Sequence, residues 1–247
     1  MSGTSTDDFA SFSYSDFKPA NSRKKRRNRN TKDRPSFLAV IQRLREELGQ
    51  GDWLTQCQQL LVESLGKAFL SSPDVLCLGL GSPTSSLNAR VQLAFLLEIC
   101  DHLNIDRARV SVYDPVFTDE DLSLFTELQV QILTENKNAE YPVLRPTICF
   151  MPHCDMELYE NILKANWSSE QLSNLLFVAN RLADYIDSNP THKLQSRVPC
   201  ILHLAPSLQC YPLPATTVWP TAFNNTSVQF IGLQSDFALE HVEFVET

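Results

Sequence analysis

The chain has 247 residues, 43% of them hydrophobic and 20% charged, enough for one generous domain with or without a tail. No stretch reaches the ~18 uninterrupted apolar residues of a membrane span, and MSGTSTDDFA lacks the apolar run of a signal peptide, so an intracellular protein is expected. The net charge of −8 hides an asymmetry: Arg23 to Arg34 hold eight of the 21 basic residues and one acid, leaving 13 basic and 28 acidic side chains elsewhere.

Residues 1–34 are polar, charged and poor in aliphatics, and cannot bury enough surface to offset the entropy of ordering, so they read as a disordered basic tail. The run RKKRRNRNTKDR fits a nuclear-import signal, a patch for nucleic acid or anionic lipid, or a solubilising tail. The acidic remainder offers no second basic face, so nucleic-acid binding would rest on residues 23–34 alone. From residue 35 to 247 the pattern is that of one domain.

Phe37, Val40, Ile41, Leu44 and Leu48 recur at helical spacing, with Ser36 as N-cap and Gly49 past the end. A second helix runs from about Asp52 to Leu70. Val75–Leu80 is a strand, and Ser85–Leu103 is a helix apolar nearly all round. Val110–Tyr113 is the next strand, followed by a Thr118-capped helix and the strand QVQILT. Thr147–Met151 is a fourth strand, and Asp155 opens the helix MELYENILKAN. Leu175–Ala179 is a fifth strand, Arg181–Asn189 a helix, and CILHLAPSL and VQFIGLQ the last two strands. Short apolar runs joined by helical segments predict a Rossmann-like three-layer α/β sandwich with a mostly parallel sheet, preceded by two helices.

In such sheets ligands bind outside the carboxyl ends of the strands. Gly79, Gly81 and Ser82 follow the first strand, where two glycines let backbone amides approach an anion. The third glycine of a dinucleotide fingerprint is replaced by Thr84, and Pro83 removes a donor, so a tight strand-to-helix turn stands beside the nucleotide reading. Asp114 ends the second strand; it fits a ribose-binding carboxylate, or an Asx-type turn before Pro115. His153 and Cys154 end the fourth strand. They raise a haem or metal ligand pair, a thiol activated at a helix N-terminus, or a histidine hydrogen-bonded across the strand ends. Neighbours in extended chain point oppositely and the other histidines are scattered, so no metal site is assigned. GxSxG is absent and no complete catalytic set assembles. The seven cysteines include no CxxC pair, which argues against a disulfide framework or thiolate zinc site.

In order, CLGLGS, ARVQLAFLL, VSVYDPVFT, TICFMPHCDMELYENILKANW and LLFVANRLADY resemble the sensitivity-to-red-light-reduced (SRR-like) family over about residues 75–185. From Asn189 onward the match is less clear. The resemblance implies a non-enzymatic regulator, with roles in circadian clock gene expression and regulation of haem biosynthesis, and a protein partner; the basic run and the lack of an apolar leader lead to an expected cytoplasmic and nuclear location. It assigns no catalytic residue and no cofactor, and it carries over Arg90, Gln92, Asp114, His153, Asn161, Asn166 and Trp167 as signature positions. The alternatives are an S-adenosylmethionine- or nucleotide-dependent enzyme at the Gly79/Asp114 edge and a haem-responsive sensor through His153 and Cys154.

Overall fold

The computed structural model describes residues 35–232. The basic run 1–34 and the last residues of VQFIGLQ lie outside them.

The Ser36 hydroxyl accepts the Ala39 amide and opens the first helix, α1 (Phe37–Leu48), which buries Ile41, Leu44 and Leu48 on one stripe. A second helix, α2 (Trp53–Lys67), buries Leu54, Cys57, Leu61 and Leu65. Then β1 (Asp74–Leu78), α3 (Leu87–His102), β2 (Val110–Tyr113), α4 (Asp119–Glu127) and β3 (Gln131–Ile132) alternate. Thr118 closes a reciprocal capping box with Asp121 at the start of α4. Beyond a long connection come β4 (Thr147–Met151) and α5 (Met156–Lys164), whose N-cap is Asp155. The short α6 (Ser169–Ser173) leads into β5 (Leu175–Asn180) and α7 (Leu182–Ser188).

One sequence expectation fails here. CILHLAPSL is not a strand: Pro199–Leu204 is a helix, α9, preceded by α8 (Thr191–Arg197), and Ala205–Ser207 is a single 3₁₀ turn. Buried Glu160 on α5 explains why. Its carboxylate accepts the backbone amides of Cys200 (3.1 Å) and Ile201 (3.0 Å), the orphan donors of the first turn of α9. Pro199, at the first position of that turn, has no amide to satisfy. An apolar run of this length fits a strand or a buried helix equally well, and a carboxylate about 40 residues upstream decides it. The strand comes later, as β6 (Leu208–Pro212), followed by β7 (Thr226–Ile231).

Among the described residues, seven strands form one sheet in the order β3-β2-β1-β4-β5-β7-β6. The five strands from β3 to β5 are parallel; β7 runs antiparallel to both β5 and β6. Side chains of each strand alternate between two cores. Val75, Cys77, Ile148, Phe150, Leu176 and Val178 pack with α1–α4, whereas Leu76, Leu78, Cys149, Met151, Leu175 and Phe177 pack with α5, α6, α8 and α9. That is the three-layer sandwich, with the chain order reversing between β1 and β4.

Candidate functional site

The point where chain order reverses opens a crevice in sheets of this kind, and it lies between the ends of β1 and β4. Gly79 and Gly81 both adopt left-handed backbone, at φ +66° and +76°. A Cβ on Gly79 would stand 2.3 Å from the Cys154 sulfur, so the missing side chain makes room for β4's exit. The Gly81 amide donates to Asp114 Oδ2 at 2.7 Å, and the other Asp114 oxygen accepts the Val116 amide at 3.0 Å. Asp114 is buried, and each of its oxygens is bonded to the chain's own backbone. It therefore makes the Asx-type turn and ties the β2 exit to the β1 exit.

Ser82 is also buried, with its hydroxyl 3.2 Å from that of Thr84. The Thr84 amide donates to Asp121 (2.9 Å), which accepts the Thr118 amide and hydroxyl as well. Burial alone would raise the Asp121 carboxyl. The Thr118 and Thr84 amides and the neighbouring hydroxyls outweigh it and hold the group below its ordinary value. Sequence reasoning missed Asp121 as part of this cluster, although its place three residues after Thr118 was the signal. Arg90 completes the turn by donating to the carbonyls of Pro83 (2.7 Å) and Thr84 (3.2 Å).

At the β4 exit, His153 sits at φ +60° and is held from both sides. Its amide donates to Asn180 Oδ1 (3.2 Å), and its ring Nε2 lies 3.2 Å from the Ala222 carbonyl. The same carbonyl accepts Nε2 of buried Gln92 at 2.7 Å. Two signature side chains, one from α3 and one from the β4 exit, thus converge on one carbonyl of the segment between β6 and β7. Beside it the Phe223 ring packs against Trp53 and Phe95 at centroid distances of 4.9 and 5.0 Å, and Trp53 Nε1 donates to the Pro214 carbonyl. Residues 213–225 are a strap laid over the crevice.

Cys154 is not the activated thiol that its place before a helix suggested. It is buried and donates to the Leu78 carbonyl at 3.4 Å; burial, with Asp155 and Asp114 nearby, pushes it up to about 12. Its carbonyl accepts the Tyr185 hydroxyl (2.8 Å), and buried Tyr159 donates to Met151 (2.5 Å) while accepting the Asn180 amide. Gln229 reaches in from β7, bonding the Asn180 carbonyl and the Leu182 amide. Asn180, Tyr159, Tyr185 and Gln229 were not singled out from the sequence; only the placement of β7 beside β5 brings Gln229 here.

The remaining signature residues lie elsewhere. Asn166 is buried near the amino end of the sheet. It bonds the Val143 amide and the Tyr141 and Ile162 carbonyls, while Asn161 bonds the Asn138 carbonyl. Both stitch the β3–β4 connection to α5, and Trp167 packs into the core on that side. The signature positions therefore form two groups at opposite ends of the sheet, each bonded largely to backbone. Among the described residues no three His, Cys, Asp or Glu side chains gather as a metal would need, and no helix is long and apolar enough to cross a membrane.

Open space lies a few strands away. A cleft of about 740 Å³ lies beyond the carboxyl ends of β5 and β6, lined by Arg181, Asp184, Cys210, Pro212, Leu213 and Phe223 among others. Thr226, at its floor, keeps a buried hydroxyl with no hydrogen-bond partner among the described residues. Gly79, Gly81, Ser82 and Asp114 take no part in this cleft.

Comparison with known proteins supplies the relationship. The chain is 33% identical to "SRR1-like protein" of Mus musculus over 197 residues, 66% of this chain and 79% of that one. It is 33% identical to "Protein SENSITIVITY TO RED LIGHT REDUCED 1" of Arabidopsis thaliana over 107 residues, 43% of this chain and 39% of the plant protein. With "SRR1-like protein" of Drosophila melanogaster the identity is 29% over 144 residues, 58% of this chain and 51% of the fly protein. The SRR1 domain model matches residues 56–230, from α2 into β7, and so takes in the strap and the last strand pair as well as the motif-bearing loops. With well over half of its length inside that match, this chain belongs to the SRR1 domain family.

Proposed function

We propose that this protein is a regulator that works by binding a partner rather than by catalysing a reaction. The observation that carries the reading is the double anchor on Ala222: Gln92 and His153 are spent on holding the strap over the crevice where dinucleotide-binding sheets of this general topology place a cofactor. Asp114 is likewise committed to Gly81 and Val116. Family membership and the plant relative's name support a place in signalling. A role in circadian clock gene expression and in the control of haem biosynthesis is the finer form of the proposal. The basic run Arg23–Arg34 supports a protein that divides between cytoplasm and nucleus.

The test is a thermal melt of the full chain with S-adenosylmethionine, NAD and haem. The expected result is no shift with any of them, and a lower unliganded melt for Asp114→Asn because the Gly81 amide loses a charged acceptor. Stabilisation of the wild type at micromolar ligand, lost in Asp114→Asn, makes the crevice a cofactor site and overturns the reading. For location, alanine at Arg23, Lys24, Lys25, Arg26 and Arg27 should deplete a tagged protein from the nucleus; an unchanged distribution removes the import role.

A further inference from the structure

We propose that the outer edge of β6, with the cleft beside it, takes an extended peptide segment of a partner protein as an eighth strand. The proposal deepens the partner-binding reading and rests on it for the kind of ligand.

The direction of each backbone group on β6 follows from two hydrogen bonds. The Leu213 amide donates to the Thr226 carbonyl (3.0 Å), and the Arg181 amide donates to the Asn225 carbonyl (3.1 Å). Along an antiparallel strand the bonding groups of successive residues point to alternate sides. With Pro212 opposite Ser227 and Cys210 opposite Gln229, the first bond turns residues 209, 211 and 213 toward β7. The second turns residues 225, 227 and 229 of β7 toward β5, leaving 226, 228 and 230 for β6, so the two agree. Leu208, Cys210 and Pro212 therefore present their backbone outward from the last strand of the sheet.

That edge is unbalanced. Pro212 has no amide, and the Leu208 amide is bonded to the Ala205 carbonyl. Among the described residues, what remains without a partner is one donor, the Cys210 amide, and three acceptors, the carbonyls of Leu208, Cys210 and Pro212. The strand reads LQCYP and carries no charge to discourage pairing. A second copy of the chain fits poorly. Two-fold pairing about Cys210 would make only the two bonds between the Cys210 residues; on either side the Leu208 carbonyl would face the proline nitrogen of Pro212, which has no hydrogen, and the Pro212 carbonyl would face the Leu208 amide already bonded to Ala205. A different antiparallel strand satisfies everything, donating amides from three alternate residues and accepting one.

Cys210 and Pro212 also line the cleft, so the incoming residues opposite them hold their side chains on its face. Leu213 and Phe223 supply apolar contact there, with the Arg181–Asp184 ion pair at the rim. The occupant is then a segment of about five residues, without proline at the three donating positions and with a large apolar side chain next to Pro212. Main-chain bonds supply affinity and the cleft supplies selection, as in other cases of strand addition.

A random linear heptapeptide library displayed on phage, panned against the full chain, tests this. Selected peptides should carry the apolar position, bind in solution, and slow the reaction of Cys210 with N-ethylmaleimide. Cys210→Pro removes the one outward donor and no ladder bond, so it should melt close to wild type and bind at least ten-fold more weakly. Tyr211→Pro removes an inward bond and should lower the melt, which checks the deduced alternation. If Cys210→Pro does not fold, N-methylating the three donating amides of a selected peptide makes the same test on wild type and should abolish binding. Equal binding by wild type and Cys210→Pro, or by the methylated peptides, overturns the edge while leaving a binding role intact. A library that enriches nothing on wild type, or sedimentation showing that β6 pairs two copies, overturns it too. A cofactor-dependent melt shift lost in Asp114→Asn would instead remove the partner-binding reading and leave the edge untouched.

Discussion

The two ends of one sheet edge have been treated in opposite ways. Around β1, β2 and β4 the exits are bound to one another: Gly81 to Asp114, Thr84 to Asp121, Cys154 to Leu78, and the strap to Gln92 and His153. Around β5, β7 and β6 there is a cleft, a half-buried cysteine and, among the described residues, a Thr226 hydroxyl and three β6 carbonyls without partners. Buried polar groups are costly unless paired, so a region that satisfies all of them internally is built for rigidity. A region that leaves them open beside a cavity is where a ligand gains most.

The sharpest break of that comparison is Gly79→Ala. The left-handed backbone costs a Cβ roughly 1–2 kcal/mol. Overpacking against Cys154, whose single χ1 leaves it few places to go, adds about 1–3 kcal/mol. Urea denaturation should show a loss of about 2–5 kcal/mol from the two together. In a Cys154→Ala background the steric part should vanish and only the backbone part remain. Equal losses in both backgrounds would mean that close approach is not why a glycine stands there.

Gln92→Leu comes next. It keeps apolar bulk in α3 but removes a buried donor from the Ala222 carbonyl, and should cost about 1–3 kcal/mol. If the strap is held as described, the same change should also speed amide exchange at residues 213–225 more than elsewhere. Uniform exchange would show that Gln92 only fills space.

Asp121 gives the closed region a pH signature. Its folded-state pKa lies below its ordinary value near 3.8, so the carboxylate contributes stability above about pH 3.8. That contribution is lost as pH falls through the folded value. Asp121→Asn should lower stability at neutral pH and flatten the acid limb of the melt. An unchanged acid limb would place the acid sensitivity elsewhere.

The smallest effect belongs to the open region. Cys210→Ser touches no ladder bond and should change stability by under about 0.5 kcal/mol. Cys210 is the one cysteine of seven that is not buried, while burial pushes the Cys57, Cys100 and Cys149 thiols up to about 12. At pH 8 the native chain should take up one equivalent of N-ethylmaleimide and the denatured chain seven. More than one in the native state would show that the closed region opens.

The sequence alone determined what is local. Ser36, Thr118 and Asp155 announce their helices because a cap bonds an amide two or three residues away, and the apolar runs of β1, β4 and β5 announce strands buried on both faces. The order of elements then determined the parallel sheet and which loops share its carboxyl edge. The tertiary structure decided everything that joins distant residues. Glu160 made a helix of an apolar run, Ala222 found Gln92 and His153 from the far side of the sheet, and Gly79 proved necessary because of a sulfur 75 residues away. The same holds for the β6 edge: that β6 is the outermost strand among the described residues, and which of its carbonyls face out, follows from the antiparallel return of β7. A pattern of two- or four-residue periods carries no record of that return, because pairing partners are chosen by packing in space and not by spacing along the chain.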